Sequence, residues 1–594
     1  MIDTESSKIS TNIYMNQNAN ISNTSLDKED SKTQKLSLNN TNISESPELL
    51  KRNETVKTSI TERHVIMSSL TCGMGMGIFF ASAQQLSCAG AIGIIISYSI
   101  VGVMIALMYQ SCCELIVSFP GITLVDYAMI FIDESLGYAV SILYCLNQLI
   151  IFPLEIISAV MITETYIDLK NWKWCAVSLY GGLGCLLSFL NSKVYAEAEF
   201  ILNFTKLVIM VLFLMLGTLA VFGVIGNNSP IVNDINNGFR NPGGLNTQSD
   251  GLLIKKIISI FIISIFSCAG IEYSAMALLE QKTDNITRVV KKASYLIIGR
   301  FLFFYIAPFL IIGALVPYTN PNLLGSDSMK KDPTIPAESP FVLAFKLHNI
   351  KFLPLVINIV IILSLISVSN SALHTSSANL LTLCENFQIP RWVGKKNYGK
   401  PLRSYFISIA FGCLAFLIYL PNSETVFTYM VSVGGLSTMI LWTIICISHI
   451  RFRYYLARAG IHASKLKYRS PTGIIGSFIA ILINMVLFCL TFWTSLWPVG
   501  EKELSTENFL QVYLGIPVFV SLFILHKFYT KFWRLKDRLK MEERDKLMTK
   551  QLHLKEVFLN EEVKNTHSSD PYYSHPDNSI LENEDFEKNI IITE

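Results

Sequence analysis

Between residues 71 and 80 the chain reads TCGMGMGIFF, with Gly73, Gly75 and Gly77 on alternate positions of an apolar stretch. A glycine costs about 1 kcal/mol relative to alanine inside a helix. Three so close together predict an interrupted helix. Close packing is the other reading, since Gly73 and Gly77 form a GxxxG pair. An interruption has its own chemistry. The second half-helix starts with unpaired N–H groups at the positive end of a dipole. Such an end can bind a carboxylate without any cationic side chain. Glycine lets the backbone come close to it.

A second stretch decides between the readings. FSCAGIEYSAM, residues 266–276, carries Gly270 and the ionisable Glu272 in the middle of another apolar segment. Paired interruptions in two halves of a chain mark inverted-repeat membrane proteins, whose sites lie between the broken helices. Irregular backbone at that depth is tolerated only where it lines a cavity or is buried in protein. The pair therefore predicts a mid-membrane site for a small molecule with an anionic group.

Ionisable residues inside apolar segments are the next candidates, because insertion of one costs at least ~2.5–3.5 kcal/mol. Glu272 sits beside Gly270 and is read as functional: it could hold a proton or attract a cationic group. Glu155, two residues after Pro153, is either functional or a buried carboxyl bonded to a neighbouring helix. Lys206 lies roughly 10 Å, about two turns, into its segment; it either snorkels to the interface or titrates within the protein. Glu114 is expected to be interfacial. His374 is expected to be a satisfied hydrogen-bonding residue, although an imidazole there could titrate.

No catalytic set accompanies these residues. There is no nucleophile elbow, P-loop or metal-ligand spacing, and the twelve cysteines are scattered without a CxxC or a disulfide framework. Cys112–Cys113 reads as packing. The expectation is a protein that is not an enzyme, with no cofactor, no metal and no nucleic-acid partner.

The elements that must position these groups are membrane helices. The chain has 594 residues, 51% hydrophobic and 16% charged, against about 25% charged in soluble domains. Its mean hydropathy is +0.43. A span needs about 20 mostly apolar residues. That rule gives about twelve: 65–86, 91–113, 137–163, 174–191, 200–225, 257–279, 295–316, 353–383, 403–420, 425–448, 473–497 and 509–529. Residues 1–62 read as a disordered tail, 63–532 as the transmembrane domain and 533–594 as a second tail. Basic residues cluster after the sixth span (Lys282, Arg288, Lys291, Lys292), the eighth (Arg391, Lys395, Lys396, Lys400) and the tenth (Arg451, Arg453, Arg458, Lys465, Lys467, Arg469). Lysines after spans 3, 5 and 7 count against this bias without reversing it. The sum places both termini in the cytoplasm.

Several stretches in one order resemble the fungal amino-acid permeases of the amino acid–polyamine–organocation superfamily. RHVIMSSLTCGMGMGIFFASA is similar to the family's RHxxMIxLGGxIGTGLFxGSG, FPLEIISA to PLEIxAA and VYAEAEFILNFTKLVIM to xYGEAEFWxxxIKVxxI. SVSNSALHTSS is similar to SxxNSALYxAS and FWTSLWPVG to FWxxxxPxG. The resemblance runs from about Arg63 to Phe532. It implies an all-α polytopic fold of the LeuT-like kind, two inverted five-helix repeats plus two C-terminal helices. It also implies proton-coupled uptake of amino acids at a plasma membrane. Carried over by position, Gly75, Met76, Gly77 and Ile78 would supply the backbone of the carboxylate pocket. Ser267, Cys268, Ala269 and Gly270 would form the unwound part that receives the ammonium. In sodium-coupled relatives a cation sits between helices 1, 5 and 8, and the ammonium of Lys206 would stand in for it. With Lys206, Glu272 and Glu155 are the candidates for proton coupling. The resemblance further implies that tail lysines such as Lys8, Lys28, Lys32 and Lys35 meet ubiquitin-ligase machinery. Departures from the pattern point to an alternative, a permease-like amino-acid sensor or a regulator of polyamine or carnitine uptake. They are Met76 for a hydroxyl residue, Cys268 for an aromatic, KTDNITR for Asn-Pro-Arg-Lys, Ala378 for Arg, and no C-terminal Phe-Trp-Cys.

Overall fold

The computed structural model describes residues 61–533, apart from 168, 170–171, 191, 227–249, 281–285, 325–337, 351, 387, 396–400, 420–422, 459 and 500–502. The tail lysines, and Lys282, Lys396 and Lys400 of the basic loops, lie outside the described residues. Among the described residues every regular element is helical.

The first apolar segment is interrupted. Helix α1 (Glu62–Thr71) opens at Thr61, whose backbone N–H donates to His64 Nδ1 at 3.0 Å. It stops at Cys72 (φ −58°, ψ 145°) and Gly73 (φ +67°). A π-helical turn, Gly77–Ala81, restarts it and leads into α2 (Ser82–Ser118). Within α2, Gly90 at φ 68° and ψ 178° turns the chain without a loop. Only glycine takes that conformation at no steric cost. The first two expected spans therefore meet at one residue.

After the short α3 (Asp126–Phe131), α4 (Glu134–Glu164) is capped by Asp133, whose Oδ1 accepts from Ser135 N (2.8 Å) and Leu136 N (3.1 Å). Next come α5 (Lys173–Phe189) and α6 (Ser192–Val221). The second interrupted segment comprises α7 (Asp250–Ser259), α8 (Phe261–Cys268) and α9 (Ile271–Glu280). Helix α10 (Ile286–Arg300) passes through a π-helical turn, Phe301–Ile306, into α11 (Ala307–Leu315). Then follow α12 (Pro340–Lys346), α13 (Leu353–Glu385), α14 (Leu402–Gly412), α15 (Ser423–Arg458), α16 (Gly473–Leu496), α17 (Thr506–Tyr513) and α18 (Gly515–Trp533).

The interior is built on α4, which packs most heavily against α13 and then α15 and α18. Peripheral helices turn apolar side chains outward, among them Ile201, Val208 and Met215 on α6 and Ile475, Phe478 and Leu482 on α16. Contiguous exposed apolar faces of this kind require a lipid environment. Among the described residues nine helices are long and apolar enough to cross a membrane, or ten if α17 and α18, bent by 64°, form one span. The difference from twelve has two sources. The two helices on either side of Gly90 follow each other without a loop and count once, and α5 is only 17 residues long.

Glu114, expected at the interface, is fully buried within the protein. Its Oε2 accepts from Arg453 Nη2 (2.7 Å) and Ser470 N (2.6 Å). His449 Nε2 stands 3.1 Å from Oε1. The cause is α15, which continues past residue 448 to Arg458 and lays both basic side chains against α2.

Candidate functional site

The two interruptions touch. A Cβ on Gly73 would stand 2.2 Å from the Ala269 carbonyl oxygen, and one on Gly270 would stand 2.6 Å from Gly73 Cα. A Cβ on Gly77 would lie 2.4 Å from Ser267 Cα. Gly73 (φ +67°) and Gly270 (φ +95°) also need the left-handed region. Packing and interruption are thus both present: the glycines break two helices and bring the broken ends together.

The backbone of the first interruption already holds a carboxylate. Met76 N donates to Glu155 Oε2 at 3.1 Å and to Oε1 at 3.3 Å. A Cβ on Gly75 would meet Glu155 Oε1 at 2.4 Å, so glycine is what admits the carboxylate. On the other side of the same strip, the Met74 carbonyl accepts from Ser364 Oγ at 2.5 Å. Met76, Ile78, Ser267 and Cys268 are all buried, and Ser267 Oγ has no partner among the described residues.

The second interruption holds its own carboxylate. Glu272 Oε2 accepts from Gly270 N at 2.7 Å and Oε1 from Trp442 Nε1 at 2.5 Å. The neighbouring Tyr273 hydroxyl donates to Gln148 Oε1 at 2.6 Å.

Lys206 does not snorkel. It is 1% exposed, and its Nζ donates to Ser367 Oγ at 3.0 Å. Ser367 lies one turn beyond Ser364 on α13, so the ammonium stands between α6, α13 and the interrupted strip. Glu155 and Glu199 are near enough for their charges to act on it. The first interruption thus has Glu155 on the Met76 N–H and Lys206 bonded to Ser367, one turn from the Ser364 that bonds Met74, while Glu272 is at the second. His374 Nδ1 meets the Tyr405 hydroxyl at 2.7 Å, as a satisfied histidine would.

Arg300 was not among the sequence candidates, and it belongs here. It is fully buried at the end of α10. Its Nη1 donates to Cys72 Sγ (3.3 Å) and its Nη2 to the Tyr305 hydroxyl (3.0 Å), which donates in turn to the Ser267 carbonyl (3.3 Å). Cys72 closes α1, and Ser267 lies in the last turn of α8. The guanidinium therefore serves the negative C-terminal ends of both half-helices. The rule applied to Lys206, an ionisable residue inside an expected span (295–316), would have found it.

A cavity of about 90 Å³ lies beside this cluster, between α1, α6, α9 and α13. Its lining includes His64, Cys72, Glu199, Asn203, Tyr273 and His374. None of the eight residues expected to contact substrate lines it. Two buried acceptors of lining residues, Glu199 Oε2 and Asn203 Oδ1, have no partner among the described residues.

The model of the family described as "Amino acid permease" matches residues 64–539. The general amino-acid permease GAP1 of Saccharomyces cerevisiae is 34% identical over 487 residues, covering 81% of this chain and 78% of the relative. The high-affinity glutamine permease of the same yeast is 32% identical over 500 residues, covering 83% and 74%. The general amino-acid permease GAP2 of Candida albicans is 32% identical over 502 residues, covering 83% and 82%.

Proposed function

The chain belongs to the amino acid permease family, and from that premise we propose that this multi-pass membrane permease couples amino-acid entry to protons through an exchange of carboxylates at Met76. The observation that carries the proposal is the Met76–Glu155 hydrogen bond. The N–H groups at residues 75–78 are those a substrate carboxylate would use, and Glu155 stands on them. Two carboxylates cannot share that strip unless one is neutralised or paired. Binding an amino acid therefore displaces Glu155 towards the Lys206 ammonium or protonates it. The substrate ammonium goes to the carbonyl oxygens of Ser267, Cys268 and Ala269, with Gly270 supplying the turn.

Lys206 is the coupling group in this reading. Its charged form offsets the displaced Glu155 and favours the substrate-loaded arrangement. That difference in affinity is what drives a conformational shift. Loss of its proton releases both ligands. Glu272, held by Gly270 and Trp442, keeps the second interruption in shape and takes no part in the proton step. The reading includes a plasma-membrane location with both termini in the cytoplasm, which the basic loops support.

The test is Lys206→Met, which keeps the bulk of the stem and removes the titrating amine. Concentrative uptake of labelled amino acids is expected to disappear, while exchange of internal for external substrate persists. Concentrative, pH-dependent uptake at the wild-type rate would overturn the reading. Saturable binding by the unaltered protein without accumulation would move the function to a sensor.

A further inference from the structure

A proton on Lys206 needs a route out of the protein, and we propose that Glu199 is that route's acceptor, handing the proton to the cavity between α1, α6, α9 and α13. This rests on the coupling role given to Lys206. The two residues lie seven positions apart on α6, two turns along the helix and on the same face. Ser367 bridges them from α13. Lys206 Nζ donates to Ser367 Oγ at 3.0 Å, and Ser367 Oγ donates to Glu199 Oε1 at 3.2 Å. Ser371, one turn on, donates to the same oxygen at 2.9 Å. Both bonds already point from amine to carboxylate.

The transfer is balanced. One N–H bond of the Lys206 ammonium breaks as its proton binds Ser367 Oγ. The proton that Ser367 already carried moves to Glu199 Oε1. Lys206 ends as a neutral amine, Glu199 as a neutral carboxylic acid, and Ser367 is regenerated once its hydroxyl rotates back. Glu199 then loses the proton to water. Its other oxygen, Oε2, is buried without a partner among the described residues and belongs to a lining residue of the 90 Å³ cavity, which has room for a few waters.

Other ionisable groups face this path. His64 and Cys72 come from α1, Tyr195 from α6 itself, Tyr273 from α9 and His374 from α13. Glu155 and Arg300 also act on the charge of Lys206. Among the residues lining the cavity Glu199 is the single carboxylate. It is also the lining residue to which the Lys206–Ser367 pair donates.

The experiment compares Glu199→Gln, Glu199→Asp and Ser367→Ala with Lys206→Met in reconstituted vesicles, at matched protein abundance. It measures concentrative uptake, proton flux and substrate exchange across pH. Removing a positioned proton acceptor is expected to slow concentrative uptake at least about tenfold. The KM for the amino acid and the exchange rate should stay within about twofold in Glu199→Gln, because substrate contacts are untouched. Glu199→Asp should restore part of the rate, and Ser367→Ala should copy Glu199→Gln. Wild-type proton flux and pH profile in Glu199→Gln, with Lys206→Met uncoupled, would overturn the Glu199 route and leave the Lys206 reading standing. Loss of exchange in step with uptake in Glu199→Gln would make Glu199 merely structural. Coupled uptake by Lys206→Met would remove both ideas.

Discussion

Two broken helices, each with one carboxylate at the break, are held in different ways. At the second, Glu272 belongs to the broken segment itself. Each of its oxygens has its own donor, Gly270 N at 2.7 Å and Trp442 Nε1 at 2.5 Å. At the first, Glu155 arrives from α4, and its two oxygens share a single donor, Met76 N, at 3.1 and 3.3 Å. A hydrogen bond to a charged group contributes about 1.5–3 kcal/mol. Glu272 has two short ones, and Glu155 has one that is divided. The first carboxylate is held by fewer and longer hydrogen bonds than the second. In the proposed mechanism the first break exchanges its ligand and the second stays closed.

The comparison breaks most visibly if the first strip is filled. Gly75→Leu places carbon where Glu155 Oε1 now lies, 2.4 Å from an ideal Cβ. Uptake is expected to vanish while surface abundance stays normal. Normal saturable uptake by a well-expressed variant would return the glycines to packing alone. Next in size is the pair of carboxamides. Glu272→Gln leaves either Gly270 N or Trp442 Nε1 facing an NH2 group, at a cost of about 1–3 kcal/mol. The detergent-solubilised protein should melt lower, with the pH profile of uptake unchanged. Glu155→Gln keeps an oxygen for Met76 N, so its stability should change by less than about 1 kcal/mol, while uptake loses its pH dependence. If Glu155→Gln melted well below Glu272→Gln, the contrast would be reversed. Trp442→Phe removes one donor and keeps most of the ring, an expected loss of about 1.5–3 kcal/mol by thermal melting. The smallest effect is at the protein surface. Lys292 donates to Glu62 at 2.5 Å and holds that carboxyl below its ordinary range. A depressed carboxyl stabilises at neutral pH and loses that contribution as pH falls through the lowered value. Because the pair is exposed and screened, Lys292→Ala should show the same melting curve as wild type at pH 7 and at acid pH.

The interruptions were legible because glycine spacing is local. Gly73 and Gly270 announce backbone that a side chain would not allow, and a matching break is a pattern within one chain. Glu155 was legible as an ionisable residue in an apolar segment, but its partner was not. Nothing near residue 155 in the sequence points to the N–H of Met76, 79 positions away. Glu114 shows the same gap: its neighbours in sequence are apolar or small, and its partners come from α15 and the turn before α16. The expected boundary between the first two spans falls at Gly90, where a single left-handed glycine does the work of a loop.

That residue also decides what can move. With no loop between them, the two helical parts of α2 meet directly at Gly90, whose non-helical backbone (φ 68°, ψ 178°) is the point at which they can change angle. Helix α1 is different. Beyond Cys72–Gly73 it is a short lever, ten residues or roughly 15 Å of arm. At its far end it is latched to α10 by Lys292–Glu62 and to α6 by Arg63–Glu197, both exposed pairs of the kind that contributes little. Pivoting by about 20° at Gly73 would carry the tip of a ~15 Å arm about 5 Å sideways, enough to unlatch it and widen the space in front of Glu199, while residues 75–78, on the other side of the pivot, stay in place.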